Sequence, residues 1–269
     1  MQSRFAPVIM LFALVMLSGC ASTTSKNVAS TAFPYSIYSD DVGQEKYPRV
    51  LIAHVNFGKP SRKYMRPYET RVDEFVRQYL KDSGFKMVSS AVFEDEWSNA
   101  VRRYGNPFNP TTGKINQTSF GKTMNYVFEQ LRSRGIVDAV VFTDLIEREI
   151  SYGNSVNRVA RWDGVSRKVS TQGPGSGVPS DFNWAQSAEA VSIWLNVFDM
   201  NLQAVFQSAG GIEVTQALSL KSTPKFVRRR NLLGNRRHIE EGVSLAFHPM
   251  IEMRGYPGVK REPVGKAAE

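Results

Sequence analysis

The sequence predicts an α/β (α+β) domain in which helices pack on a mixed β-sheet. Residues 49–57 (RVLIAHVNF) form a continuous apolar run, which is typical of a buried strand. Between Glu69 and Asp82 the apolar residues recur at the i, i+3, i+4, i+7 spacing of an amphipathic helix. Helical and strand-like segments alternate in the first half of the chain, and strand-like segments cluster in the second half. The predicted order is β-α-β-α-α-β-β-β-β-α.

The elements of the first half are bounded by turn residues. Gly84 and Gly135 each follow a helical period and are typical of a helix C-terminus. A Gly-, Asn- and Pro-rich stretch at 105–113 predicts a long turn. The predicted elements are strands at 49–57, 85–90 and 136–150 and helices at 69–82, 93–104 and 118–134.

The second half is predicted to be mostly strand. Residues 170–188 (STQGPGSGVPSDFNWAQSA) have no apolar period and predict a mobile surface loop. The small residues Ser208-Ala-Gly-Gly211 favour a tight hairpin turn. The predicted elements are strands at 155–169, 191–207 and 212–220 and a last helix at 229–253.

The amino terminus indicates a lipid anchor. Arg4 precedes an apolar run at 5–17, which is too short to span a bilayer and has the order of a secretory signal. The run ends Leu17-Ser18-Gly19-Cys20, which resembles the lipobox of bacterial lipoproteins, where the cysteine is acylated. Cys20 is the single cysteine of the chain, so the sequence offers neither an internal disulfide nor a cysteine zinc site.

The resemblance to lipoproteins implies a cellular location. Ala21 follows the cysteine, where an Asp would favour retention in the inner membrane, so the expected location is the outer membrane, facing the periplasm. The expected organisation is a signal peptide at 1–19, a lipid-anchored tether at 20–46, one α/β domain at 47–253 and a flexible tail at 254–269. No cofactor is expected apart from the covalent lipid on Cys20.

Three segments together resemble a known periplasmic fold. They are the strand RVLIAHVNF, the stretch from Leu131 to Leu145 with Gly135 and Asp138, and the strand at 193–201. The fold is the one shared by the curli-secretion lipoprotein CsgG, the penicillin-binding-protein activator LpoB and the amino-terminal domain of TolB. The likeness covers roughly residues 48–253. It implies a protein that binds partners, with ring formation possible, and no catalytic residues.

No catalytic motif in the sequence is complete. The triplet at 121–123 (GKT) resembles the end of a phosphate-binding loop, but Asn116 stands where that motif needs Gly. The three histidines, His54, His238 and His248, have no second ligand at zinc spacing, so no metal site is expected. His54 and Asn56 follow the first strand and define a candidate crevice at the carboxyl edge of the sheet.

Positive charge is concentrated in one segment. The chain has a net charge of +9, and residues 221–237 hold seven cations and no acid. The candidate binding residues are Lys221, Lys225, Arg228, Arg229, Arg230, Arg236 and Arg237. An anionic membrane surface or lipopolysaccharide, an acidic glycan, an acidic face of a neighbouring subunit, and a simply solvated segment are all open alternatives. A periplasmic location argues against nucleic acid as the binding partner.

The sequence therefore favours an outer-membrane lipoprotein that acts without catalysis, as a binding scaffold or accessory subunit of a cell-envelope assembly. One alternative is a periplasmic enzyme acting on glycan or peptidoglycan near His54 and Asn56. A second is a homo-oligomeric ring subunit. A secretion-pore subunit is a further alternative, although charges fall on both faces of the candidate hairpin at 145–161.

Overall fold

A mixed β-sheet lies between two layers of helices. The computed structural model describes residues 37–38, 42–53, 64–109, 111–153, 158–174, 177–178, 180–221 and 223–258. The strands are β1 Ile37–Tyr38, β2 Arg49–Ala53, β3 Lys86–Val88, β4 Ala139–Ser151, β5 Val159–Trp162, β6 Val165–Lys168, β7 Thr171–Gln172, β8 Ser187–Asp199, β9 Ala204–Val214, β10 Gln216–Ser219 and β11 Lys225–Arg228. The helices are α1 Arg66–Asp82, α2 Ala91–Tyr104, α3 Gln117–Arg134 and α4 Arg236–Phe247.

The main sheet has the order β1-β9-β8-β4-β2-β3. Strand β2 runs parallel to β3 and β4, whereas β4, β8 and β9 form a long antiparallel meander. Two small sheets accompany it: β5 pairs with β6, and β10 lies between β7 and β11. The α/β mixed fold is thus confirmed. Within the main sheet, the parallel pairs β2–β3 and β2–β4 join strands that are connected through helices.

Each face of the main sheet has its own core. Helices α1 and α4 cover one face, where Leu80 and Phe247 pack with Ile193 at or near zero exposure. Helices α2 and α3 cover part of the other face, where Phe128 packs with Phe142. Successive residues of a strand point to opposite faces of the sheet, so apolar side chains of β4 and β8 contribute to both cores.

Helix α4 packs on β9 at backbone contact distance. A Cβ atom built on Gly210 would lie 1.9 Å from the carbonyl oxygen of Gly242, and one on Gly242 would lie 2.8 Å from the carbonyl oxygen of Gly211. No side chain fits at these positions, since the opposing atoms are backbone. The two elements can therefore approach this closely only with glycine on both sides.

The β5–β6 hairpin covers β9 beyond the residues that pair with β1. Its turn residue Asp163, with φ of 36°, accepts the Gly211 N–H at its carbonyl oxygen at 2.9 Å. Arg167 donates from Nε to the Ile212 carbonyl oxygen at 3.0 Å. The Asp163 carboxylate also accepts hydrogen bonds from Ser192 and Arg148, both at 2.7 Å. Backbone groups that would otherwise form an open sheet edge are thus satisfied within the chain.

An ion pair between Arg49 and Asp138 joins β2 to the start of β4. The Asp138 carboxylate accepts the backbone N–H of Arg49 at 2.8 Å and its guanidinium at 2.5 Å. Arg49 also donates to the carbonyl oxygen of Gly135. Hydrogen bonding to the guanidinium lowers the pKa of Asp138. The Gly135 and Asp138 pattern of the sequence is accounted for by this structural contact.

The hairpin predicted at 208–211 is wrong. The turn lies between Asp199 and Ala204, where the Asp199 carboxylate accepts the N–H groups of Asn201 and Gln203, both at 2.9 Å. Residues 208–211 continue through β9. Gly210 permits the close approach of α4 and does not form a turn.

Three further boundaries differ from the predictions. The strand at 155–169 is the β5–β6 hairpin, broken at Asp163-Gly164, with residues 154–157 outside the described part of the chain. The helix predicted at 229–253 is shorter, because Arg228 still belongs to β11 and Asn235 caps α4. In the loop predicted at 170–188, Phe182 and Trp184 are half-buried and packed, with ring centroids 4.9 Å apart.

The first three helices lie close to their predicted positions. The first strand is confirmed only to Ala53, because His54 and Asn56 lie outside the described residues, as do Cys20 and the segment at 1–36. Within the described ranges, none of the helices combines the length and the hydropathy that crossing a bilayer requires.

Replacing Gly210 by alanine is expected to destabilise the domain by about 3 kcal/mol, since the new methyl group overlaps the α4 backbone. Urea unfolding of the variant measures this. Gly121→Ala is the matched control: this glycine lies inside α3 with no atom within 4 Å of a built Cβ. It is expected to gain up to about 1 kcal/mol. Equal effects of the two substitutions would contradict the packing argument.

Candidate functional site

The seven predicted cations lie on three consecutive pieces of structure. Lys221 and Lys225 flank the β10–β11 connection, Arg228 ends β11, and Arg236 and Arg237 begin α4. Arg229 and Arg230 lie in the segment between β11 and α4. Three of the seven side chains have acidic partners, and the other four have none among the residues that the structure describes.

Arg229 neutralises a buried carboxylate. Glu213 is 2% exposed, and its Oε2 lies 3.3 Å from Nη1 of Arg229. Its other oxygen accepts the backbone N–H of Leu233. Arg229 also donates to the Val214 carbonyl oxygen at 3.1 Å. This ion pair fixes the chain between β11 and α4 against β9.

Arg228 belongs to a second polar cluster on the same side of the sheet. Its guanidinium lies 3.7 Å from the ring centroid of Tyr64 and 3.8 Å from Oε2 of Glu189. The Tyr64 hydroxyl donates to Glu147. Burial raises the pKa of Tyr64, and the hydrogen bond to Glu147 raises it further, so the phenol stays protonated and remains a donor.

Arg236 is engaged at the start of α4. Its Nε donates to Oε1 of Glu240 at 2.7 Å, and the guanidinium lies 5.5 Å from the ring centroid of Phe75. The Asn235 side chain accepts the N–H groups of Arg237 and His238, which caps the helix. Arg228, Arg229 and Arg230 therefore do not oppose a helix dipole, since the helix begins after them.

Four cations remain for an external partner. We call them the basic strip; all four side chains are exposed, and among the described residues none has an acidic partner within 4.0 Å: Lys221, Lys225, Arg230 and Arg237. An exposed ammonium or guanidinium without a carboxylate neighbour keeps its full charge for an anionic ligand. The strip is the part of the predicted cluster that can act in binding.

The acidic partners are the residues that sequence reasoning missed. Glu189 of β8 and Glu213 of β9 pair with Arg228 and Arg229, and Glu147 of β4 accepts the hydrogen bond from Tyr64. One signal was present: Glu213 stands in the apolar strand GGIEV, and a carboxylate in a buried strand requires a cation or several donors.

The predicted crevice at His54 and Asn56 lies outside the described residues. Of the other histidines, His238 has a half-buried ring whose pKa is lowered by burial and by the neighbouring Arg167. Its Nδ1 is buried and has no hydrogen-bond partner among the described residues. Across the described ranges, no three His, Cys, Asp or Glu side chains are grouped so that they could hold a metal ion.

No protein-family model matches this chain, and no curated protein matches it significantly.

Replacing Arg229 by methionine is expected to cost about 3 kcal/mol of unfolding free energy, because Glu213 would remain buried without its counter-charge. Arg230→Met is the matched control, since this neighbour is exposed and has no acidic partner in the described part of the chain; a change within about 0.5 kcal/mol is expected. Thermal unfolding of both variants followed by circular dichroism gives the comparison. Similar stability of the two variants would show that the Glu213 pair is not structural.

Proposed function

We propose that this protein is an outer-membrane lipoprotein whose α/β domain binds an anionic partner as a non-catalytic scaffold or accessory subunit of a cell-envelope assembly. The anchor is proposed from the sequence, where the single cysteine follows an apolar segment and small residues. The proposed relation to the periplasmic CsgG, LpoB and TolB type of fold agrees with the mixed sheet and its helices on both faces.

The observation that carries the proposal is the division of the seven cations. If the whole segment served stability, each cation would be expected to meet an acid as Arg229 meets Glu213. The basic strip instead keeps four exposed charges that have no acidic partner among the described residues, between the end of β10 and the first turn of α4. Opposing an anionic surface, such charges contribute about 1 kcal/mol each at close range.

The range of this interaction suits a tethered domain. At physiological salt, exposed charges act over about 8 Å, so the strip binds only what lies next to it. A lipid anchor on Cys20 would keep the domain beside the envelope and raise the local concentration of such partners. The lipid anchor and weak electrostatic contacts of the basic strip would then together hold the domain at its partner.

Lipid attachment is tested by mass spectrometry of the full-length protein expressed in a Gram-negative host. The expected product begins at Cys20, carries acyl chains and sediments with membranes. Cys20→Ser is expected to abolish the added mass and to release the protein from the membrane fraction. A membrane-free wild type with an unmodified Cys20 would contradict the anchor.

Binding through the basic strip is tested by salt elution from a sulfated polysaccharide resin, which serves as a generic anionic probe. The triple variant Lys221→Glu, Lys225→Glu, Arg230→Glu is expected to elute at a much lower salt concentration than the wild type. Its reference is Lys86→Glu, Lys122→Glu, Arg132→Glu, which reverses three exposed charges on β3 and α3.

Both triple variants lose the same net charge, so the comparison separates a local site from overall charge. A local site predicts little change for the reference variant. If the two variants elute together, retention follows net charge alone and the proposed site is wrong. Circular dichroism spectra of both variants check that the fold is retained.

A further inference from the structure

A histidine lies inside a cluster of charged side chains at the start of α4. His238 belongs to the first turn of the helix, and its ring is half-buried. Four charged groups act on this ring: Arg167 of β6, Glu213 of β9, Glu241 of α4, and Arg229 of the connection at 229–235 between β11 and α4. The cluster is therefore the place where this connection is attached to the sheet.

Both carboxylates of the cluster already have partners. Oε2 of Glu213 lies 3.3 Å from Nη1 of Arg229, and its other oxygen accepts the backbone N–H of Leu233. Oε2 of Glu241 accepts a hydrogen bond from Nη2 of Arg167 at 2.8 Å. Each acid of the cluster is thus matched by one arginine, and a third cation would have to compete for a carboxylate.

The neutral form of the His238 ring fits these surroundings. Nδ1 is buried and meets no hydrogen-bond partner within the described ranges, so a proton there would be a buried donor without an acceptor. The ring also lies at the amino-terminal end of α4, where the helix dipole disfavours a positive charge. Burial and the charge of Arg167 lower the pKa of His238, although Glu213 and Glu241 act in the opposite direction.

The connection beside the ring contains a strained residue. Leu233 has a φ of 51°, a left-handed conformation that is uncommon for a residue with a bulky side chain. Its side chain is buried, and its N–H is bound to Glu213. Such a conformation persists only while the surrounding contacts hold it. A weaker hold by Glu213 is therefore expected to let the connection leave the sheet.

We infer that His238 is an acid-sensitive switch on this connection: the neutral ring keeps the connection on the sheet, and protonation of the ring releases it. A charged ring has two ways to lower its energy. It can move out to water and leave the cluster, or it can take a carboxylate from one of the two arginines and break an ion pair. Both responses weaken the attachment of residues 229–235.

The switch acts on the basic strip. The connection carries Arg230, and Arg237 stands next to His238 in the first turn of α4. Release of the connection changes the position of these two cations relative to the two lysines of the strip, and with it the fit to an anionic partner. This last step alone rests on the proposed function, since the switch is a property of the folded domain and needs no ligand.

The titration of the ring is measured by NMR on the full-length protein in detergent micelles. The midpoint of His238, whose resonance is assigned by its loss in His238→Gln, is expected below about 6.5, the ordinary value for histidine. Glu241→Gln is expected to lower the midpoint further, because it removes a negative charge that favours the protonated ring. Glu240→Gln is the matched control, since this neighbouring carboxylate pairs with Arg236, and it is expected to leave the midpoint unchanged.

Release of the connection is measured by amide hydrogen exchange. The protection factor of the Leu233 N–H is expected to fall about threefold or more from pH 7.5 to pH 5.0, because the released ring takes up a proton more readily than the bound ring. In His238→Gln this fall is expected to be largely lost. The amide of Val141, in the centre of the main sheet, is expected to respond equally in both proteins, which separates local release from global unfolding.

Two results would overturn the inference: a His238 midpoint at or above the ordinary histidine value, or an equal fall of Leu233 protection in the wild type and in His238→Gln. The salt elution of the basic-strip variants at pH 7.5 is independent of both measurements. Unchanged elution behaviour without a switch would leave the proposed function standing. A switch without strip-dependent elution would remove the proposed binding site and retain the switch.

Discussion

The contact between the backbones of α4 and β9 is the constraint on which the rest of the domain depends. Because Gly210 and Gly242 have no side chains, the helix lies directly on the strand. This position brings Phe247 into the core and places the segment before α4 across the end of the sheet. Arg229 then reaches Glu213, and the β5–β6 hairpin closes over the edge of β9.

Charge is used in two different ways within one short segment. Arg228 and Arg229 lie against carboxylates of the sheet, where removing one partner leaves a buried or half-buried charge. Arg230 and the lysines of the β10–β11 connection lie in water. Arg229 and Arg230 are adjacent in sequence, but the first is paired with a buried carboxylate and the second lies in water. A count of charges along the chain does not distinguish them.

The sequence predicted the α/β class and three helices because periodicity and helix stops are local signals. It misassigned residues 208–211, since a Gly-Gly pair is equally suited to a turn and to the approach of a helix, and only the tertiary contact with Gly242 decides between them. The pairing of Arg228 with Glu189 and of Arg229 with Glu213 depends on how the strands are placed in space, and the sequence signalled only that Glu213, in an apolar strand, needs a partner. The pairing of Asp144 with Trp194 depends on the register of β4 with β8, which is likewise non-local.

The closed edge of β9 limits how this domain can join an assembly. Many partners bind by adding a strand to an exposed sheet edge and using its free backbone groups. Along the end of β9, the Gly211 N–H and the Ile212 carbonyl are already taken by Asp163 and Arg167 of the same chain. An extended peptide therefore finds no template there, and recognition at this end of the molecule must proceed through side chains.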